Sequence, residues 1–331
     1  MATLAPLTLS LGDPCGIGPE IVAKAWRAVK SERDLAFCVI GDAATLESQG
    51  VPVTRIATPA ETGGLFTGAL PVLDRPLDQP AISGRPSSIH APHILDWIRT
   101  GVELCRMGAA RGLVTAPIAK AVLYEAGFTF PGHTEYLAEL CRDDDVPTPV
   151  MMLTARDLRV VLATIHTPLA SVPGALTVDG LIAIVRITAA ALRRDFAVLR
   201  PRLVMAGLNP HAGEDGSIGR EEIDILRPAV AQLRSEGIDI AGPFPADSLF
   251  HDVARTTYDA VICMYHDQGL IPLKTLDFWS GVNITLGLPI VRTSPDHGTG
   301  FAIAGQGMAR ADSLVAALRA ASAIAANRVS P

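Results

Sequence analysis

Residues 202–216 read RLVMAGLNPHAGEDG. An apolar run ends in a turn built of Asn, Pro and Gly, and a histidine, His211, sits just past the end of the run. The same pattern occurs twice more: RVVLAT (159–164) runs into His166 of ATIHTP, and AVICMY (260–265) runs into HDQG with His266 and Asp267. Continuous runs rich in Val, Ile and Leu predict strands covered on both faces, as in a parallel sheet. Further runs of this kind are LTLSL (7–11), LAFCVI (35–40), GLVTA (112–116) and VMMLT (150–154). Amphipathic segments predict helices over 19–30, 90–110, 118–126, 134–142, 177–198, 220–236 and 312–327. Pro19 suits a first helical turn, where its missing N–H has no intrahelical partner, and Asp312 is placed to cap the last helix. Strands alternating with helices predict an α/β fold with a mostly parallel sheet. The Pro/Gly-rich stretch 51–86 predicts irregular structure or a hairpin.

At roughly 150 residues per domain, 331 residues supply about two domains' worth of chain. No linker divides them, so a discontinuous arrangement with both termini in one subdomain is equally compatible with the sequence. Mean hydropathy is +0.31, high enough to require a check for membrane spans. No stretch reaches the roughly 18 uninterrupted apolar residues that a spanning helix needs. The start, MATLAPLTLSLGDP, lacks the basic segment of a secretory signal. The net charge of −6 and scattered Lys and Arg argue against nucleic acid, and 5% aromatic residues argue against base-stacking platforms. The five cysteines form no CxxC pair. A disulfide framework is therefore not expected, which fits a reducing cytoplasm.

In open α/β sheets ligands gather beyond the carboxyl ends of the strands. His166, His211 and His266 all occupy such exits, and three neutral imidazoles with an open position suit a catalytic divalent metal. Against this, the chain has eight histidines, and most histidines in an average protein bind no metal. Asp247 in PFPADSLF and Asp267 offer acid–base chemistry or a partner that orients an imidazole, and capping a turn explains Asp247 as well. PGHTE places His133 and Thr134 at a helix entry suited to an anion, where capping by Thr134 is the more ordinary role. Lys274, Asn283 and Arg292 flank GVNITLGLPIVRTS, a set able to clamp a phosphate or carboxylate. Neither GxGxxG nor GxxxxGK[ST] is present. Two glycine-rich turns remain, GDPCGIGPE (12–20) and TSPDHGTGFAIAG (293–305), the second with Asp296, His297 and Gly298 near its tip. A plain loop is the default for both, and a cofactor cradle is the alternative.

Taken together, GDPCGIGPE, TAPIAK, PGHTEYLAE, ATIHTPL, GLNPHAGEDGSIGREEID, GPFPADSLF, MYHDQGLIPLK and GVNITLGLPIVRTSPDHGTG resemble the 4-hydroxythreonine-4-phosphate dehydrogenase family of pyridoxal phosphate biosynthesis, in order and over nearly the whole chain. The resemblance implies an isocitrate/isopropylmalate-dehydrogenase-like fold of two α/β domains with a cleft between them, a homodimer whose site is completed across subunits, and NAD or NADP bound without a Rossmann fingerprint. It implies His166, His211 and His266 as ligands of a divalent metal such as zinc, cobalt or magnesium. His133, Thr134, Lys274, Asn283 and Arg292 match the family's substrate-binding set. Asp247, Asp267 and Lys120 of TAPIAK are the candidate catalytic residues, and Asp296, His297 and Gly298 the candidate cofactor contacts.

The implied reaction is metal-assisted oxidation of 4-phosphooxy-L-threonine, with decarboxylation to 3-amino-2-oxopropyl phosphate. Cys15 and Ala119 stand where a small residue and a polar one are more usual in the family. They leave open two related activities: D-threonate or D-erythronate 4-phosphate dehydrogenase in sugar-acid catabolism, and aromatic cis-dihydrodiol dehydrogenase. The second of these needs no phosphate clamp.

Overall fold

Every apolar run named above forms a strand in the computed structural model, which describes residues 5–329. The extreme termini, on which the expectations of a signal-free start and a shared subdomain partly bear, lie outside the described residues. Twelve strands follow in chain order among the described residues: β1 (Leu7–Ser10), β2 (Phe37–Gly41), β3 (Val53–Arg55), β4 (Leu70–Asp74), β5 (Leu113–Thr115), β6 (Val150–Ala155), β7 (Leu158–Leu162), β8 (Leu203–Ala206), β9 (Ile240–Phe244), β10 (Ala260–Cys263), β11 (Val282–Leu286) and β12 (Arg292–Pro295). The chain forms two compact units. The first takes in the chain through Pro149 together with Leu288–Val329, and the second is Val150–Gly287.

In the first unit the strand order is β3-β4-β2-β1-β5-β12, with every pair parallel. β1 is entirely buried, and so is β2. The helix Gly18–Val29 carries Pro19 in its first turn, as expected, and buries Ile21, Val22, Trp26 and Val29. The last helix starts on Asp312 itself, which pairs with Arg310 at 3.0 Å.

Residues 51–86 do not form a hairpin. β3 pairs with β4 in parallel, Val53 opposite Leu70, so the Pro/Gly-rich chain between them is a crossover and contains the short helix Thr62–Leu65. A three-residue strand is too short to show any periodicity, and for that reason the sequence hid it. Residues 75–87 are irregular.

The second unit orders its strands β11-β6-β7-β10-β8-β9. β7, β10, β8 and β9 are parallel, whereas β6 runs antiparallel to both β7 and β11. The sheet is therefore mixed. β9, β11 and β12 escape a search for continuous apolar runs because they carry Gly and Pro, alternating Asn and Thr, and Arg respectively. The core of this unit gathers Leu153, Val160, Leu162, Val261, Cys263, Leu270 and Leu273. The helix His266–Leu276 lies on that core through Gly269, whose bare Cα packs against Val160 and Cys263 where a side chain has no room. The helix Val178–Phe196 is capped by Thr177, whose hydroxyl accepts from the Gly180 amide at 3.1 Å. Among the described residues no single helix is long and apolar enough to cross a membrane.

Candidate active site

β7, β10 and β8 are neighbours in the second unit and run the same way, so their carboxyl ends open on one edge of the sheet. His166, His266 and His211 follow those three ends. Two buried side chains tie the exits together. The Thr164 hydroxyl donates to the Met264 carbonyl at 2.7 Å. Gln268 accepts from the Met264 amide at 2.7 Å and donates to the Gly207 carbonyl at 2.7 Å. Both braces meet the chain at Met264, two residues before His266. The sequence reading missed Thr164 and Gln268, although both lie within three residues of a strand-exit histidine.

The rings of His166 and His266 lie 5.8 Å apart, centroid to centroid. His266 opens its helix, and its Nδ1 lies 2.7 Å from an Asp267 carboxylate oxygen. An ionised carboxylate only accepts, so Nδ1 carries the proton and Nε2 keeps its lone pair, the form in which imidazole binds a metal. Asp267 is thus an orienting partner of His266. His211 is exposed and begins a turn whose residues 211–215 all have positive φ. The donor chemistry of the three imidazoles suits a divalent metal, and the first two stand side by side. Among the described residues, however, no three His, Cys, Asp or Glu side chains are close enough together to hold an ion. The expected three-histidine centre is therefore not closed here: His211 stands on the left-handed turn.

Asp247 is exposed in the short turn Ala246–Ser248, whose cap position belongs to Pro245. It lines an open cavity of about 590 Å³ with Arg255, Tyr265, Asp267, Gln268 and Ile271. Lys274, two turns beyond His266 on the same helix, lines an adjoining space of about 400 Å³ and lies 5.4 Å from the Phe278 ring centre. Asn283 of β11 faces Leu153 of β6 in register, and its side-chain oxygen is shielded from water without a hydrogen-bond partner.

The anion-binding candidates of the first unit are more deeply set. Arg292 on β12 is 4% exposed, and its guanidinium donates to the Thr115 hydroxyl of β5 at 2.7 Å. The same nitrogen lies 3.2 Å from Nδ1 of His133. A guanidinium only donates, so Nδ1 accepts and the His133 proton sits on Nε2, which is shielded from water and has no partner. Burial, then the charges of Arg292 and Lys120, hold His133 well below its ordinary pKa, so the ring is neutral. Burial pushes Arg292 down to about 10, and it stays charged at neutral pH.

His133 is the first residue of the helix His133–Leu140, with Gly132 in the cap position. Thr134 is therefore not the cap; it is buried within the first turn. Lys120 opens the helix Lys120–Glu125, and its ammonium lies by Gly132. A buried cation, a neutral imidazole with an unused N–H and a helix N-terminus together make a seat for an anion.

The two glycine-rich turns also meet in this unit. The Ile17 amide donates to the Thr299 carbonyl at 2.8 Å, and the Asp296 amide donates to the Ser313 hydroxyl at 3.1 Å. His297 and Gly298 are exposed at the tip. Asp13 of the first turn accepts from the Cys15 amide at 3.0 Å, and burial raises its carboxyl to about 6. Separated by nearly the whole chain, the two turns gave no sign in the sequence that they touch.

The family model described as pyridoxal phosphate biosynthetic protein PdxA matches residues 33–321. A protein of Caulobacter vibrioides named 4-hydroxythreonine-4-phosphate dehydrogenase is 60% identical over 331 residues, covering 98% of this chain and 99% of its own. The crystal structure of the Klebsiella pneumoniae protein of that name superposes with a TM-score of 0.86 at 38% identity, covering 98% of this chain and 99% of that one. A terephthalate 1,2-cis-dihydrodiol dehydrogenase from Burkholderia xenovorans is more distant, at 26% identity and a TM-score of 0.66, covering 96% of this chain and 98% of that one.

Proposed function

The chain belongs to the PdxA family, and from that premise we propose that it oxidises 4-phosphooxy-L-threonine with NAD(P)⁺ and releases CO₂ to give 3-amino-2-oxopropyl phosphate. It is a 4-hydroxythreonine-4-phosphate dehydrogenase, an oxidoreductase of pyridoxal phosphate biosynthesis. Full-length identity of 60% to a relative of that name carries the reading. In the reaction C3 of the substrate gives up hydride to the nicotinamide and its hydroxyl gives up a proton. The resulting 3-keto acid then loses CO₂ and takes up a proton at C2.

Each residue set has a defined part. In the first unit Arg292, Thr134 and the Nε2–H of His133 hold the phosphate, and Lys120 adds positive charge. That grip fixes the reacting carbon, so it contributes orientation. In the second unit His166, His266 and His211 are the ligands for a divalent ion, with Asp267 holding the His266 ring. Such an ion, when bound, would supply Lewis acidity at the oxygen on the reacting carbon. Lys274 and Asn283 bind the polar end of the substrate, and Asp247, which faces the open cavity, takes the proton. The paired glycine-rich turns, with Asp296, His297 and Gly298, make the dinucleotide seat.

The protein works as a homodimer. Ile271, Phe278 and Trp279 are 65%, 61% and 50% exposed, an apolar group suited to a second copy. Sedimentation equilibrium is expected to give twice the 34.8 kDa chain mass.

The test is absorbance at 340 nm with 4-phosphooxy-L-threonine, NAD⁺ or NADP⁺ and added divalent metal, with D-threonate 4-phosphate in parallel. Reduction with the first substrate, abolished by chelator and by His211→Ala in a folded protein, is the expected result. Turnover of D-threonate 4-phosphate alone moves the enzyme to a sugar acid, and full activity of His211→Ala removes the metal assignment.

A further inference from the structure

We propose that Glu222 is a positioning residue, seating His211 through Asn209 and so setting the affinity of the histidine site for a divalent metal. The proposal rests on the reading of His166, His211 and His266 as ligands.

The turn that carries His211 is costly on its own. His211, Ala212, Gly213, Glu214 and Asp215 have φ of 53°, 52°, 78°, 41° and 50°, one turn of left-handed backbone. Only glycine takes this conformation freely; each other residue costs roughly 1–2 kcal/mol. Such a turn persists only where its surroundings hold it.

The holding contacts converge on Asn209 and Glu222. Glu222 is fully buried. One of its carboxylate oxygens accepts from the Asn209 backbone amide at 2.7 Å, and the other accepts from the Asn209 side-chain amide at 2.9 Å. Glu221 accepts from the same side-chain amide at 2.7 Å. The Ala212 amide donates back to the Asn209 carbonyl at 3.1 Å, which ties the start of the left-handed turn to the clamped residue. At its middle, Gly213 approaches so closely that a Cβ would lie 2.6 Å from a Glu222 carboxylate oxygen. At its far end Asp215 pairs with Arg227 at 2.7 Å.

A carboxylate withdrawn from water is expensive, and here it is met by amide donors of one neighbour. Glu222 also opens a π-helical turn, Glu222–Leu226, ahead of the helix Arg227–Ser235. π-turns are frequent at functional sites. The clamp is one-sided in chemistry: both carboxylate oxygens must accept. Glu222→Gln keeps the shape but sets an NH₂ against an amide donor of Asn209. Because His166 and His266 are already neighbours, a loosened turn changes the third ligand alone.

The experiment is a Co²⁺ titration of the full-length protein, followed by its visible absorption, for wild type, Glu222→Gln, His211→Ala and the double variant. Circular dichroism and thermal melting report folding. Glu222→Gln is expected to weaken Co²⁺ binding ~10-fold, the size typical of supporting residues around a metal. In the His211→Ala background it is expected to add no further loss, because a residue acting through His211 has nothing left to act on. Asn209→Ala, which removes the side-chain donor and keeps the backbone, repeats the test should Glu222→Gln not fold.

Wild-type Co²⁺ affinity in folded Glu222→Gln or Asn209→Ala, beside a weakened His211→Ala, overturns the proposal and leaves the ligand reading standing. An additive loss in the double variant overturns it too, showing that Glu222 acts elsewhere. Unchanged binding in His211→Ala removes the ligand reading, and the proposal with it.

Discussion

The two units solve the same problem in opposite ways. In the first unit the candidate groups are themselves withdrawn from water: Arg292 is 4% exposed, and Asp13, in the adjoining glycine-rich turn, is 1% exposed. Burial has moved their proton affinities, down for Arg292 and up for Asp13. At the strand ends of the second unit His166 and His211 face water. There the buried groups are the braces beneath them, Thr164, Gln268 and Glu222. An anion seat gains from dryness, because a cation and a neutral N–H attract phosphate more strongly at low local dielectric. A metal ligand needs an accessible lone pair, so its rigidity has to come from a hydrogen-bonded layer underneath.

That contrast breaks most sharply at Arg292. Arg292→Met removes the buried charge and the donor to Thr115, and kcat/KM for the phosphorylated substrate is expected to fall ~10³-fold, about 4 kcal/mol. Co²⁺ affinity should stay at the wild-type value; a parallel loss of metal binding in the folded variant would show that the two regions are not independent.

Gln268→Leu tests the other side. It strands the Met264 amide and the Gly207 carbonyl, and is expected to cost about 3 kcal/mol in urea unfolding. Metal affinity should fall, with KM for the substrate near wild type in whatever fraction folds. An unchanged unfolding midpoint would mean that other groups satisfy those two atoms.

The smallest expected effect is that of Asp13. Its carboxyl titrates near 6 in the native state, against 3.8 ordinarily. The native state therefore binds more protons than the unfolded chain between those values, and this contribution to stability is complete below 3.8 and lost as pH rises through about 6. Asp13→Asn, which never ionises and keeps an acceptor for Cys15, is expected to melt with the parent at pH 4. At pH 7 it should be more stable by ~2 kcal/mol. Equal melting temperatures across that range would place the Asp13 carboxyl in water.

The sequence alone determined the strands that are apolar throughout, because burial on both faces demands an unbroken run and leaves that run legible. It also determined the residue types of the candidate site, since a histidine within four residues of the end of such a run lies beyond the carboxyl end of its strand. Sequence did not reveal β3, too short for any period, or the polar strands β11 and β12, which carry Asn283 and Arg292 inside the sheet. The roles of Thr134 and Asp267 were likewise open to several readings: the helix entry is capped by Gly132, and Asp267 holds the His266 ring.

Only the tertiary structure decided which distant groups meet: His133 with Arg292, 159 residues apart, or Gln268 with Gly207, 61 apart. A sequence records local preference, whereas these pairs follow from strand order, and strand order is fixed by the packing of the whole sheet. The left-handed turn at His211 is the clearest case. Four of its five residues are types that disfavour that backbone, and a clamp from the neighbouring helix is what holds them there.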